Sequence, residues 1–275
     1  MVTFHQEALD LQPWYHDFAE LGLQTRFDAD PAHLGQRILR AVKMLLTLRP
    51  RQIVGTRLEK RELLSLWQIL GKSGPGHFAN QPVKEQVLAP YIQRSLDALP
   101  EAPQCLELFC ADGYHGCLIA RQRPDAHVTG IDLAEKEIER AQTAARLLGL
   151  ETAHFLVADA WTYLREQQRF DLVLCAGGLY HLERPGAFLE LLRPVTRGYL
   201  VVQSVVTLET EDPDYFVSPI PGLRHGSRFT HAALERWLVE AKWQVLAQDR
   251  NELPGNKLAR DRGSSYFLCQ PASDS

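Results

Sequence analysis

From residue 104 onward the chain alternates between short apolar runs and longer stretches whose apolar positions recur every three or four residues. The apolar runs predict strands at 104–109, 127–131, 153–157, 170–175 and 198–206. The periodic stretches between them predict helices at 114–122, 134–148, 159–167 and 185–193. Such alternation predicts a parallel sheet with helices on both faces. The tail breaks the rhythm. After a helix at 230–241, Trp243–Gln248 and Tyr266–Cys269 read as two further strands. The segment joining them contains Pro254-Gly255 and too few apolar positions for a packed crossover helix. It therefore predicts a hairpin, which puts one antiparallel strand at the end of the sheet.

The first 100 residues follow helical spacing instead. Leu11, Trp14, Tyr15, Phe18 and Leu21 share one face, with Gly22 to close the segment. Asp30-Pro31 is a plausible start for a second helix, carrying Leu34, Ile38, Leu45 and Leu46 inward. A third is expected from Thr56 to Leu70 and a fourth over 82–98, with Pro100 to Pro103 as the linker. The expected organisation is a helical cap at 1–100 on the substrate side and an α/β domain at 101–275.

Composition narrows the function classes. A chain of 275 residues with 45% hydrophobic and 23% charged residues is of ordinary globular type. Its net charge of −4 gives no overall basic footprint for nucleic acid. The stretch 37–61 is locally basic, with Arg37, Arg40, Lys43, Arg49, Arg51, Arg57, Lys60 and Arg61 against Glu59. It reads either as a solvated helix face or as a guide for phosphates. Five cysteines (105, 110, 117, 175, 269) make an odd number without a Cys-x-x-Cys pair, as expected of free thiols in a reducing compartment. The start shows no basic-then-apolar leader, and no apolar run approaches the roughly 20 residues that cross a bilayer. A cytoplasmic protein without membrane contact is expected. Its oligomeric state is not legible.

The chemistry gathers around 104–116, where an apolar strand runs into a tight turn ending at Gly113 and a helix follows. Unpaired amides at such a helix start can cradle a ligand. Asp132 lies 19 residues after Gly113, near the spacing of about 20 expected for a ribose-binding acid. It could instead cap helix 134–148, although its placement after Val128-Thr-Gly-Ile favours the ribose, and Asp159 could cap the helix after it. Tyr180-His181-Leu182 follows the fourth strand. His181 is a candidate general base, with a structural hydrogen-bonding role as the alternative. The long segment 211–229 is either a substrate-binding lid or an ordered surface loop. Its candidate contacts are Tyr215, Arg224, His225 and Arg228, with Tyr180 beside them. Gly71-Lys72-Ser73 is not a phosphate loop, because Leu66 stands where that motif needs glycine. The histidines show no metal-ligand spacing, so no metal is expected.

Four segments carry a family resemblance: Leu106-Glu-Leu-Phe-Cys-Ala-Asp-Gly, Gly130-Ile-Asp-Leu, Ala158-Asp-Ala, and Phe170 through Leu182. Together they resemble the successive motifs of class I S-adenosylmethionine-dependent methyltransferases. The resemblance covers about 104–206 and the closing hairpin. It implies a Rossmann-like seven-stranded sheet with the last strand antiparallel. It also implies S-adenosyl-L-methionine as cofactor. Glu107 and the turn Phe109, Cys110, Ala111, Asp112 and Gly113 would hold its methionine part. Asp132 would meet the ribose, Leu133 the adenine face, and Asp159 with Ala160 the adenine amino group. Cys175, Ala176 and Gly177 would lie under the methionine end. The family usually carries glycine where this chain has Phe109 and Ala111. The Phe109 ring, or that of Tyr114, would face the sulfonium, unless Phe109 is a core residue. The chain lacks the Gly-x-Gly-x-x-Gly of NAD-dependent oxidoreductases.

A second, shorter resemblance links Trp14-Tyr15-His16 and Tyr180-His181 with Pro185 to the tRNA wobble-uridine alkyltransferase family. The expectation is a methyltransferase acting on a small-molecule acceptor, with tRNA as second choice and non-catalytic cofactor binding as the rival class.

Overall fold

The apolar runs are the strands of one sheet. The computed structural model describes residues 5–11, 14–25, 53–54, 57–58, 77–166, 169–219 and 226–272. The strands are β1 (Gln104–Leu108), β2 (His127–Asp132), β3 (Ala153–Val157), β4 (Phe170–Ala176), β5 (Thr196–Val206), β6 (Trp243–Glu252) and β7 (Gly263–Pro271). Their spatial order is 3-2-1-4-5-7-6. The pairs among β1 to β5 are parallel. The last strand, β7, is antiparallel as expected and enters between β5 and β6. Strand order reverses at β1, which pairs with β2 on one side and β4 on the other. The crevice of such a sheet opens outside the carboxyl ends at that reversal.

The helices are α1 (Gln6–Asp10), α2 (His77–Asp97), α3 (Tyr114–Gln122), α4 (Glu135–Leu147), α5 (Ala160–Glu166), α6 (Pro185–Val195), α7 (His231–Glu240) and α8 (Ala259–Arg262). Alternate strand residues face opposite layers. Cys105, Leu172, Leu174, Val201 and Leu268 join a cluster with Leu88, Ile92 and Leu96 of α2, Ile119 of α3 and Ala141 of α4. Leu106, Val173, Cys175, Val202 and Phe267 face Leu164, Phe188, Leu192, Leu234 and Leu238 of α5, α6 and α7. Both faces are covered, which explains why these strands read as nearly continuous apolar runs. All five cysteines are free and buried.

The N-terminal expectation needs correction. Residues 14–21 do not form the expected helix; among these described residues a single 3-10 turn, Ala19–Leu21, is present, closed by Gly22 at φ 85°. Trp14, Phe18 and Leu21 are buried as their spacing implied, but their backbone is irregular for a specific reason. The amides of Tyr15 and His16 donate to Asp112. That of Asp17 donates to Gln81 and that of Phe18 to Thr25. Donors committed to side chains are lost to an i→i−4 ladder. The second expected helix lies outside the described residues. Within the third, Arg57–Leu58 instead pairs antiparallel with Ile53–Val54. The fourth is α2, which carries Pro82 and Pro90 on its exposed side. Among the described residues, no helix is long and apolar enough to cross a membrane.

The crevice is shaped by close packing on Phe155. A Cβ added at Gly113, Gly116 or Gly130 would come within 2.9 Å of that ring, and within 2.4 Å from Gly130. Three glycines thus let the turn, α3 and β2 close onto β3. Gly130→Ala should destabilise the protein by about 1–3 kcal/mol through overpacking, read as a lowered denaturant midpoint. Phe155→Leu in the same chain should recover part of that loss.

Candidate active site

The turn after β1 keeps a glycine-type path without the glycines. Phe109, Ala111 and Gly113 have φ of 57°, 48° and 75°. L-residues adopt such angles at a cost of about 1–3 kcal/mol each when the surroundings over-determine them. The surroundings here are identifiable. The Cys110 amide donates to the Ile131 carbonyl at 3.0 Å, and the Ala111 amide to Asp132 Oδ2 at 3.0 Å. The other Asp132 oxygen accepts the Ala134 amide at 2.9 Å. Asp132 therefore straps the turn to the end of β2 and caps the approach to α4. Each oxygen keeps lone-pair capacity for a diol.

Side chains in the turn point away from the crevice. Cys110 and Asp112 are buried. The Phe109 ring fills a notch at Gly178, where a Cβ would lie 2.0 Å from it, and packs 5.6 Å from Phe188. It is half-buried against the α6 layer. Tyr114 is buried as well, stacked 5.0 Å from His16 and edge-on to Phe18 at 5.3 Å.

Behind the turn lies a buried polar cluster that the sequence did not disclose. Asp112 Oδ2 accepts the amides of Tyr15 at 2.7 Å and His16 at 2.8 Å, while Oδ1 is 2.6 Å from His16 Nδ1. Burial works to raise the Asp112 pKa; the His16 ring and the amide donors outweigh it and hold the carboxyl below its usual range. Glu107 Oε2 accepts the Gly116 amide at 2.8 Å, at the start of α3, where the helix dipole favours an anion. His115 bridges two carboxylates, with Nε2 3.0 Å from Glu85 and Nδ1 3.4 Å from Glu107. Burial alone would lower its pKa; Glu85 and Glu107 outweigh burial and push it up to about 9. Lys84 of α2 is shifted down by desolvation, against the charges of Glu85 and Asp112. Nothing in the 82–98 pattern marks Lys84 or Glu85, because their roles depend on how α2 docks.

The remaining candidates divide between rim and core. Leu133 is 68% exposed beside Asp132, an apolar surface at the crevice. Asp159 Oδ1 accepts from the Thr162 amide and hydroxyl, both at 2.9 Å, so it caps α5 as one reading held. Ala160 and Cys175 are buried in the far layer, and burial pushes the Cys175 thiol up to about 12. Ala176 ends β4, and Gly177 follows it at φ 78°. His181 closes a 3-10 turn and is exposed. The surrounding protein costs its imidazolium hydration and lowers its pKa, with Asp132 opposing.

Tyr180 is the meeting point of the rim. Its carbonyl accepts the Ser227 amide at 2.6 Å, and Arg228 pairs with Asp261 at 2.7 Å. Burial pushes the Tyr180 pKa up to about 12, helped by Tyr15 and Asp261 and opposed by Arg228. Tyr215 sits on the outgoing leg of the loop, where Asp214 pairs with Arg236 and Phe216 packs on Trp237 of α7. Arg224 and His225 lie outside the described residues.

The geometry meets a family at this point. A methyltransferase-domain family model matches residues 101–244. The chain belongs to that family. The seven-stranded sheet and the antiparallel β7 are those that the resemblance to class I methyltransferases implied. The chain is 36% identical over 114 residues to a tRNA (guanine-N(7)-)-methyltransferase of Chloroflexus aggregans, covering 33% of this chain and 51% of that protein. It is 31% identical over 122 residues to a tRNA U34 carboxymethyltransferase of Proteus mirabilis, covering 44% and 36%. The matches thus span about half or less of these relatives. The fold is similar to the N-terminal domain of EvdMO1, solved with S-adenosylhomocysteine bound, with a TM-score of 0.54 and 20% identity over 90% of this chain and all of that one.

The residues fit the cofactor. Beside Gly177, a Cβ would meet no atom nearer than Gln203 Oε1, at 4.0 Å, so that side of the β4 terminus is open.

The raised His115 pKa carries a stability signature. Its folded value of about 9 exceeds the ordinary imidazole value of 6.5. The stabilisation is therefore complete below pH about 6.5 and is lost as pH rises through 9. Between pH 6.5 and 9.5 the native protein should lose roughly 2–3 kcal/mol more unfolding free energy than His115→Gln, measured by urea titration.

Proposed function

We propose that this methyltransferase transfers a methyl group to a small-molecule acceptor held under Tyr180. When bound, the cofactor supplies a sulfonium-activated methyl group, which an acceptor lone pair takes by in-line displacement. The chain's part is alignment, which can supply much of the rate effect. Asp132 holds the ribose hydroxyls and Leu133 covers the adenine. The strapped turn presents its backbone to the methionine part, and Ala176 and Gly177 lie beneath it. His181, whose lowered pKa keeps the ring neutral near pH 7, takes the acceptor's proton. The first 100 residues act as the substrate-side cover.

The observation that carries the acceptor class is the enclosure of the rim. The N-terminal segment comes within electrostatic range of Tyr180 through Tyr15, and the return leg of the loop bonds to the Tyr180 carbonyl through Ser227. Among the described residues, four arginines are paired: Arg228 with Asp261, Arg236 with Glu240, Arg250 with Glu211, and Arg262 with Glu252. Paired guanidinium groups offer little to a phosphate backbone, whose recognition rests on available positive charge. The second reading, a tRNA acceptor, is favoured by the two tRNA-modifying relatives.

Two measurements test these assignments. Asp132→Asn should weaken S-adenosylhomocysteine binding about tenfold in calorimetric titration, equivalent to about 1.4 kcal/mol; unchanged affinity removes Asp132 from the ribose. Methyl-labelled cofactor offered with a small-metabolite extract and, separately, with bulk tRNA should label the metabolite fraction. Label confined to tRNA would transfer the assignment to the second reading.

A further inference from the structure

Gln203, near the end of β5, is 1% exposed. Its amide nitrogen donates to Ser264 Oγ at 2.8 Å, and its Oε1 is a buried oxygen without a hydrogen-bond partner. A buried acceptor left unmade costs about 1–3 kcal/mol. Such an atom at the active-site end of a sheet calls for a donor.

The direction of the amide is fixed from a distance. The Val83 carbonyl of α2 can accept but not donate, so Asn251 turns its nitrogen toward it, at 3.0 Å. Asn251 Oδ1 then faces Tyr266, whose hydroxyl donates to it at 2.9 Å. The Tyr266 and Ser264 side chains interact as well. Ser264 in turn accepts from the Gln203 nitrogen, so the Gln203 oxygen is the end that remains. A run of hydrogen bonds anchored on one carbonyl thereby presents an acceptor rather than a donor.

That oxygen faces a definite place. Gln203 is the register partner of Ala176, and its own carbonyl accepts the Gly177 amide at 3.1 Å. It is also the nearest atom to the missing Cβ of Gly177. On the reading that the cofactor's amino-acid end lies over 175–177, the donor that reaches this spot is an ammonium group. We propose that Gln203 Oε1 accepts a hydrogen bond from the α-ammonium of the bound cofactor, so that α2 and β7 help to bind the cofactor through the Asn251–Tyr266–Ser264 relay. Gln203 lies outside every motif of the family resemblance, and nothing in the alternating pattern of β5 distinguishes it.

The probes are S-adenosylhomocysteine and its desamino analogue, which keeps the carboxylate but lacks the ammonium. Both are titrated calorimetrically into the full chain, with thermal unfolding as the fold control. The native protein should bind S-adenosylhomocysteine at least about tenfold tighter than the desamino compound. Gln203→Met, close in volume but without the acceptor, should reduce that ratio below about threefold by weakening S-adenosylhomocysteine alone. Gln203→Glu should keep or widen it. A native ratio below about threefold overturns the proposal even if Gln203→Met does not fold. So does a Gln203→Met variant that weakens both compounds equally or neither. If the native protein binds neither compound, the cofactor-site reading fails and the proposal with it.

Discussion

A single buried carboxylate ties the two halves of the described structure together. Asp112 sits in the turn after β1, yet its oxygens face backward, onto two amides and a ring from residues 15 and 16. Breaking such a set leaves an uncompensated buried charge, which is far costlier than the pair's net worth. The N-terminal segment is thus held against the back of the turn. Trp14 and Phe18 are carried into the sheet's own core, and Tyr15 is brought toward Tyr180. The rim and the turn are positioned by the same contact.

The neighbouring groups extend this arrangement as a layered charge system. Asp112 faces His16; His115 lies between Glu85 and Glu107; Glu107 takes an amide of α3. Carboxylates and imidazoles alternate, so the members of the cluster hydrogen-bond one another. This makes α2 part of the site although no motif residue lies on it. Distance along the chain is no guide to membership: residues 16, 85 and 112 share one environment.

Legibility followed the range of the interactions involved. β1 to β5 and the helices between them were readable within a few residues, because burial on both faces writes an apolar run into each strand. The antiparallel return was readable from Pro254-Gly255 and the missing crossover helix. Residues 14–18 were misread as helix because their apolar spacing is real, while their amides are claimed by Asp112, Gln81 and Thr25, which no local pattern reveals. In the site, Asp132 was singled out by its distance to Gly113, whereas its strapping of Ala111 was not legible. Phe109 was the open question, and the ring's seat at Gly178 and against Phe188 shows why a large residue is tolerated there. Lys84, Glu85 and Gln203 are ordinary letters in a helix and a strand. They gain meaning only when α2 lies across the sheet.

Strand order has a consequence for how the chain assembles. β7 lies between β5 and β6, and Val206 pairs with Gly263 across a long stretch of sequence. β6 has no partner in the sheet until β7 has been synthesised. The segment at 14–18 is translated before any of this, yet its hydrogen-bond acceptors stand at 25, 81 and 112. Both ends of the described chain must therefore wait for the middle, and translation order is not the order of assembly. Such non-local closure slows folding and leaves an outer edge of β5 open to wrong partners in the interval. The parallel core β1 to β4, with its helices, is the part able to organise first. The N-terminal segment and the β6–β7 hairpin then dock onto a surface that already exists.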